Sequence, residues 1–264
     1  MKKSSSWYKV FIILGAYLLF RFFIKVAENF GLFSKLHIHS FVWLQTILEI
    51  LIIVYMILIN HYFIRQMISY DIKIKNSFLV LLPVVLLLLM FMASISESGS
   101  DQTYAYVLPL PLAAGFFEEY LCRGLLLPQI LKSINGIKKV ESKNVYLAVF
   151  FSSLIFACLH FFNLASQDLV TTCLQVWFAL CAGVFFSSLY VSSESIIPSF
   201  LFHFLYDYLS MYTNGPAQQK VSVNYQTILS ISISTIFFLG YSWLLINKNK
   251  LKKRSDWLSN LINN

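Results

Sequence analysis

Long apolar stretches separated by short polar loops form the dominant pattern along this chain. Two of them, 50–59 and 81–92, contain no charged residue. A helix needs about 20 apolar residues to cross the hydrocarbon core of a bilayer. On that rule the sequence predicts eight transmembrane helices, near 7–25, 41–64, 77–96, 105–131, 145–162, 169–191, 196–212 and 226–247. The seventh stretch is short, so an arrangement of seven helices stays open.

The composition supports a membrane protein and excludes an ordinary soluble domain. Of the 264 residues, 58% are hydrophobic and 12% are charged, whereas soluble domains carry about 25% charged residues. The formal net charge of +8 does not indicate nucleic-acid binding, because the cations occupy short loops and the C-terminal tail instead of one basic face. We therefore predict an all-α, polytopic membrane protein with a single integral domain over residues 1–264, and no nucleic-acid partner.

The distribution of Lys and Arg over the loops predicts the orientation in the membrane. With the N-terminus inside, the inner regions hold fifteen of the 20 cations, namely Lys2, Lys3, Lys9, Arg65, Lys73, Lys75, Lys132, Lys138, Lys139, Lys143, Lys248, Lys250, Lys252, Lys253 and Arg254. The outer regions hold Arg21, Lys25, Lys35 and Lys220. Cytoplasmic loops are enriched in Lys and Arg, so both termini are predicted to be cytoplasmic. The composition, rich in Lys, Asn and Ile, suggests a bacterial cell membrane.

Charged residues interrupt the fourth predicted span at Glu118, Glu119 and Arg123. Such groups are costly in hydrocarbon and usually serve a function. Residues four apart share a helix face, so Glu119 and Arg123 are predicted to pair. Glu118 points about 100° away and has no partner on its own helix, which suits a general acid or base. A structural ion pair beside a water-lined Glu is the alternative. Glu49 stands alone in the second span.

Two later spans carry histidines among apolar residues. His160 closes the fifth span, and Phe156, one turn earlier, shares its face and could hold the ring. His203 and Asp207 are four apart in the seventh span, so both face the same way. The alternatives are a core or interfacial histidine and a self-satisfied His–Asp pair. Together the carboxylates and imidazoles form a set that could activate water, directly or through a divalent metal such as zinc held by Glu118, His160 and His203.

The ordered motifs resemble those of a known family. Glu-Glu-x-x-x-Arg at 118–123, Phe-x-x-x-His at 156–160 and His-x-x-x-Asp at 203–207 are similar to the motifs of the CPBP intramembrane proteases. That family includes the CaaX prenyl endopeptidases and the bacterial Abi proteins, which process bacteriocins or give self-immunity. The motif-bearing core covers about 105–212.

The resemblance implies roles for the motif residues. Glu118 and His160 would activate the attacking water, while Glu119 and Arg123 would support the site. His203 and Asp207 would contact the oxyanion. Asp207 stands where the family often has Asn, and an ionised Asp cannot donate a hydrogen bond to an oxyanion. It would therefore be protonated, orient His203, or help to bind a metal.

The sequence thus predicts a membrane-embedded endopeptidase that cleaves a membrane-associated peptide or protein, such as a bacteriocin or pheromone precursor or a CaaX-like substrate. One alternative is a non-catalytic immunity or regulatory protein that binds a peptide or a sensor kinase. A transporter is a second alternative, but no pair of Gly- or Pro-broken helices supports it. The predicted depths of two site residues differ, because His160 falls near the outer end of its span and Glu118 near mid-membrane. Either the fifth span extends further, or the cavity opens toward the outer half.

Overall fold

The computed structural model describes residues 7–35, 41–71, 77–98, 106–136, 140–214, 221 and 223–263. Every regular element among these residues is helical, which confirms the predicted all-α class. Seven of the lysines that set the predicted orientation lie outside the described residues, namely Lys2, Lys3, Lys73, Lys75, Lys138, Lys139 and Lys220. The orientation of the chain in the membrane therefore stays a prediction.

The helices follow one another with short connections. They are α1 (Trp7–Asn29), α2 (Leu32–Lys35), α3 (Phe41–Ile59), α4 (Ser77–Ser98), α5 (Pro109–Glu119), α6 (Leu127–Asn135), α7 (Ser142–Leu159), α8 (Leu169–Ser193), α9 (Ile197–Asn214), α10 (Tyr225–Ile246), α11 (Lys248–Lys253) and α12 (Ser255–Asn263). Three irregular segments extend or join them. A π-helical segment, Asn60–Ile64, extends α3; a second, Tyr120–Leu126, joins α5 to α6; and a 3₁₀ segment, His160–Ala165, extends α7.

Local chemistry explains where several helices begin and end. Pro109 stands at the first turn of α5, where its missing N–H costs no hydrogen bond. The Asp168 carboxylate caps α8 by accepting from the backbone N–H groups of Val170 and Thr171 at 3.0 and 3.1 Å. The same helix ends at Glu194, which adopts the left-handed conformation with φ 60°.

Among the described residues, six helices are long and apolar enough to cross a membrane: Trp7–Asn29, Phe41–Ile64, Phe78–Ser96, Ser142–Ala165, Leu169–Ser193 and Tyr225–Ile246. Six of the eight predicted spans therefore have a matching apolar helix, and the other two stay predictions. The predicted spans 105–131 and 196–212 are helical, but a π segment divides the first and ionisable residues interrupt both. The fifth span runs from Ser142 to Ala165 instead of the predicted 145–162, because the 3₁₀ segment continues α7.

The site-bearing helices pack closely because small residues lie between them. Helix α8 packs against α7 and α10, while α5 packs against α3 and α9. A Cβ at Gly183 of α8 would lie 2.9 Å from Ser153 Cβ of α7. A Cβ at Gly115 of α5 would lie 3.3 Å from the backbone nitrogen of Phe204 on α9. Glycine thus lets the backbones approach at both contacts, as is common between membrane helices.

Gly183→Ala is expected to destabilise the fold, because its methyl group would overlap Ser153 and lie 3.1 Å from Phe156 Cδ1. Overpacking of this kind costs about 1–3 kcal/mol. The thermal unfolding midpoint of the detergent-solubilised protein measures it. Gly240→Ala on α10 is the matched control, since nothing lies within 4 Å of its added methyl group. Equal midpoints for the two variants would contradict the close α7–α8 contact.

Candidate functional site

A buried ion pair forms the base of the site. Arg123 Nη1 donates to Glu119 Oε1 at 2.9 Å, and neither side chain is exposed (0% each). This contact confirms the pairing predicted from the four-residue spacing. Arg123 Nη2 also donates to the Gly183 carbonyl at 3.0 Å, which joins the α5–α6 segment to α8. The guanidinium carbon lies 4.7 Å from the Phe156 ring centroid and 5.2 Å from that of Phe186, so two aromatic faces cover the cation.

The π-helical segment Tyr120–Leu126 shapes this part of the chain. It begins directly after Glu119 and contains Arg123, and π segments inside α-helices frequently occur at functional sites. Gly124 lies in the same segment, where a Cβ would meet Ile68 Cδ1 at 2.8 Å. Sequence reasoning did not predict this π-helical segment, because its apolar residues fit an ordinary α-helix equally well.

His203 on α9 is the centre of the site. Its Nδ1 lies 3.0 Å from Glu119 Oε1, and its Nε2 lies 3.4 Å from Glu118 Oε2 and 3.3 Å from Asp207 Oδ2. The ring stacks on Phe186, with centroids 4.6 Å apart. Glu118 was predicted to lack a partner on its own helix, and its partner indeed comes from another one. Both ring nitrogens of His203 face carboxyl oxygens, an arrangement that suits an imidazolium donating from each.

Exposure divides the site into a dry side and an open side. The side chains of Glu119 and Arg123 are fully buried, and that of His203 is 6% exposed. Those of Glu118 and Asp207 are each 31% exposed. The open side therefore presents two carboxyl groups that a substrate or water can reach, whereas the dry side can only hold them in position.

His160 approaches the site from the 3₁₀ segment that follows α7. Its Nδ1 lies 2.9 Å from the Phe156 carbonyl oxygen, and its ring packs edge-on against the Phe156 ring at 4.9 Å. Phe156 therefore contacts this ring, and its role in holding it stays a prediction. A carbonyl oxygen only accepts, so Nδ1 carries the proton and Nε2 presents its lone pair. His160 also lies within electrostatic range of His203 and Asp207.

The Phe156 ring is shared by residues of all three sequence motifs. Arg123 lies over it, His160 packs against it, and the His203 centroid is 5.9 Å away. The structure thus brings together every residue that the sequence predicted for the site. Glu118 and His160 share no hydrogen bond or ion pair among the described contacts. If both act on one water molecule, that water must lie between their side chains.

Three polar residues of α1 and α3 lie near Glu118 or near one another. Tyr17 stacks on Phe117 at 5.9 Å and lies within electrostatic range of Glu118 and Glu49. The Oε2 atom of Glu49 is buried and has no hydrogen-bond partner among the described residues. Arg21, predicted to lie in an outer region, is within electrostatic range of Glu49. Sequence reasoning noticed Glu49 but left it without a partner, because contacts between distant spans carry no sequence signal.

Among the described residues, no three His, Cys, Asp or Glu side chains are grouped so that they could hold a metal ion. Of the three predicted ligands, His203 has both nitrogens engaged by carboxyl groups, whereas His160 directs Nδ1 at a carbonyl and leaves Nε2 unengaged. We therefore describe the chemistry of the site with protein groups alone.

Arg123→Gln is expected to destabilise the protein strongly, because it leaves the buried Glu119 carboxylate without its cation. Removing one partner of a buried pair costs about 3–5 kcal/mol. Thermal unfolding in detergent measures the loss, and the double variant Glu119→Gln/Arg123→Gln should recover part of it. The control is Lys143→Gln, which breaks an exposed pair with Glu141 and should cost no more than about 1 kcal/mol. Equal losses for both single variants would refute the buried pair's role.

Comparison with known proteins gives one match. Residues 100–209 match the family model described as Type II CAAX prenyl endopeptidase Rce1-like. No curated protein and no solved structure matches the chain at a significant level. The matched segment contains all seven predicted site residues, namely Glu118, Glu119, Arg123, Phe156, His160, His203 and Asp207.

Proposed function

We propose that the protein is an intramembrane endopeptidase of the CAAX protease type, because the segment that carries the site, residues 100–209, matches the family model described as Type II CAAX prenyl endopeptidase Rce1-like. The observation that supports the proposal best is the position of Glu118. Its carboxyl group is accessible and faces the Nε2 atom of His203. The buried Glu119 contacts the opposite ring nitrogen, Nδ1. An accessible base beside a fixed proton donor is the arrangement that peptide hydrolysis by water requires.

We propose that Glu118 is the general base. A water molecule on the open side gives a proton to the Glu118 carboxylate while its oxygen attacks the peptide carbonyl carbon. His160 Nε2, which its contact with Phe156 leaves free to accept, orients this water. When the tetrahedral intermediate collapses and the C–N bond breaks, Glu118 returns the proton to the leaving amine. No metal takes part in this scheme.

His203 is proposed to stabilise the oxyanion. In the resting site its Nε2 faces Glu118 and Asp207. Once Glu118 has taken a proton from water, it is neutral and attracts the imidazolium less, so the Nε2–H can be shared between Asp207 and the oxyanion formed in the same step. Glu119 and Arg123 are positioning residues, since they fix the ring without reaching the open side. Asp207 accepts from Nε2 and is proposed to orient His203.

The substrate is proposed to be a membrane-associated peptide or protein, either a bacteriocin or pheromone precursor or a CaaX-like substrate. Six apolar helices make the protein an integral membrane protein, so the bilayer keeps bulk water away from the site. The peptide must therefore enter the polar opening around Glu118 and Asp207 in an unwound form.

Glu118→Gln and His160→Ala should each lower peptide release at least about 100-fold, because each removes a group that acts on the attacking water. Wild type and variants are expressed at matched levels, and peptides released from membranes are compared by mass spectrometry. Glu141→Gln is the control, since this exposed carboxyl group lies outside the site. Unchanged peptide sets in both site variants would instead favour a peptide-binding immunity or regulatory role for the same opening.

Asp207→Asn should keep activity within about tenfold of wild type, whereas Asp207→Ala should lose about 100-fold. The Asn side chain keeps an oxygen that accepts from His203 Nε2, but Ala removes it. The measurement is kcat and KM for a peptide identified by the preceding comparison. Most of the Ala effect should fall on kcat if Asp207 acts through His203. Equal activity of the two variants would rule out the orienting role.

A further inference from the structure

A cavity lies beside the C-terminal end of α5, on the side opposite Glu118. Its volume is about 660 Å³, and its polar lining includes Asn60, His61, Arg65, Gln66 and Tyr120. Tyr120 follows Glu118 by two residues, so on a helix the two side chains point about 200° apart. The cavity is therefore distinct from the opening that holds Asp207 and His203, and the proposed protease activity does not use it.

One cation, Arg65, lines this cavity, and two further cations lie on neighbouring helices. Lys9 on α1 lies within electrostatic range of Arg65 and of Lys132 on α6, and its Nζ donates to the Ile64 carbonyl. Among the residues that the structure describes, none of these three cations has a carboxylate partner. Clustered positive charge of this kind favours a bound anion.

Arg65 ends the extended α3 at the cavity wall. Its φ is 57° and its ψ is 40°, the left-handed geometry in which many helices end. Asn60 fixes the turn, because its Oδ1 accepts from the Gln66 N–H at 2.8 Å and its Nδ2 donates to the Gln66 carbonyl at 3.0 Å. The backbone that carries the Arg65 side chain is therefore held in place.

The position of the cavity matches the depth of lipid headgroups. The candidate span Phe41–Ile64 ends immediately before Arg65. Tyr62 and Met67, which also line the cavity, are 62% and 67% exposed. An aromatic and an apolar side chain beside a cation are typical of the membrane interface. The guanidinium fork of Arg matches a phosphate group with two parallel hydrogen bonds.

A ligand in this cavity would contact the helix that carries the proposed base. Asn60 Nδ2 donates to the Tyr120 hydroxyl at 3.1 Å. Asn60 opens the first π segment and Tyr120 opens the second, so one hydrogen bond joins the two irregular segments. Tyr120 directly follows Glu119.

We propose that this cavity binds a phosphate group, carried by an anionic lipid headgroup or free in solution, with Arg65 as its principal ligand and Lys9 and Lys132 as supporting charges. The site stands on its own geometry and does not depend on the proposed protease activity.

The test uses the full-length protein in nonionic detergent, with phosphatidylglycerol binding titrated by native mass spectrometry. Arg65→Asn removes the guanidinium while keeping a residue that tolerates the left-handed conformation. It should weaken phosphatidylglycerol binding about tenfold, the effect of losing a charge-assisted hydrogen-bond pair. Lys253→Asn, which removes an exposed cation of α11, should change it less than about twofold. Arg65→Gly serves if the Asn variant does not fold.

Inorganic phosphate and phosphatidylcholine distinguish the source of the ligand. If inorganic phosphate displaces phosphatidylglycerol from the wild type but not from Arg65→Asn, the site recognises free phosphate. If only phosphatidylglycerol binds, with phosphatidylcholine much weaker, the ligand is an anionic lipid headgroup. Both results support the proposal.

Two results would overturn the proposal. Phosphatidylglycerol could bind the wild type and both Arg65 variants equally, or Lys253→Asn could weaken its binding as much as Arg65→Asn does. Either result would indicate a non-specific basic surface.

Discussion

One carboxylate oxygen holds the site together. Glu119 Oε1 accepts from Arg123 Nη1 at 2.9 Å and lies 3.0 Å from His203 Nδ1, and the Glu119 side chain is fully buried. Desolvating such a carboxylate costs several kcal/mol, which only close cationic donors offset. Those donors come from the π segment and from α9, and Arg123 also binds the Gly183 carbonyl of α8. The helices can therefore pack in this arrangement only when the charges meet, and the close glycine contacts permit it.

This constraint gives two adjacent residues opposite environments. Glu119 faces inward, where its carboxylate contacts Arg123 and His203. Glu118 lies about 100° around the helix, and its side chain is 31% exposed, so it can contact water or a substrate. The same imidazole joins both, through Nδ1 on the dry side and Nε2 on the open side. A change in the charge of Glu118 therefore acts on the His203 ring, which Glu119 holds in a fixed orientation. Preorganised charges of this kind are effective in a water-poor site.

Sequence reasoning succeeded where the interaction lies within one helix. The Glu119–Arg123 pair and the Phe156–His160 contact follow from four-residue spacing, and the helices follow from apolar length. It failed where the interaction depends on how helices meet. The two π segments, the Asn60–Tyr120 hydrogen bond and the approach of Arg21 to Glu49 join distant parts of the chain. The predicted spans 105–131 and 196–212 are helical but carry the ionisable site residues, so they are less apolar than the other six.

The contacts between helices also resolve the difference in depth between His160 and Glu118. Helix α5 and its continuation run from Pro109 to Asn135, and α7 returns alongside α6, so the start of α5 and the end of α7 lie at the same end of the bundle. Glu118 and His160 also each lie within electrostatic range of His203 and Asp207, so the two residues lie close in depth. Of the two explanations that the sequence left open, the longer fifth span accounts for the shared depth without a cavity that reaches across the membrane.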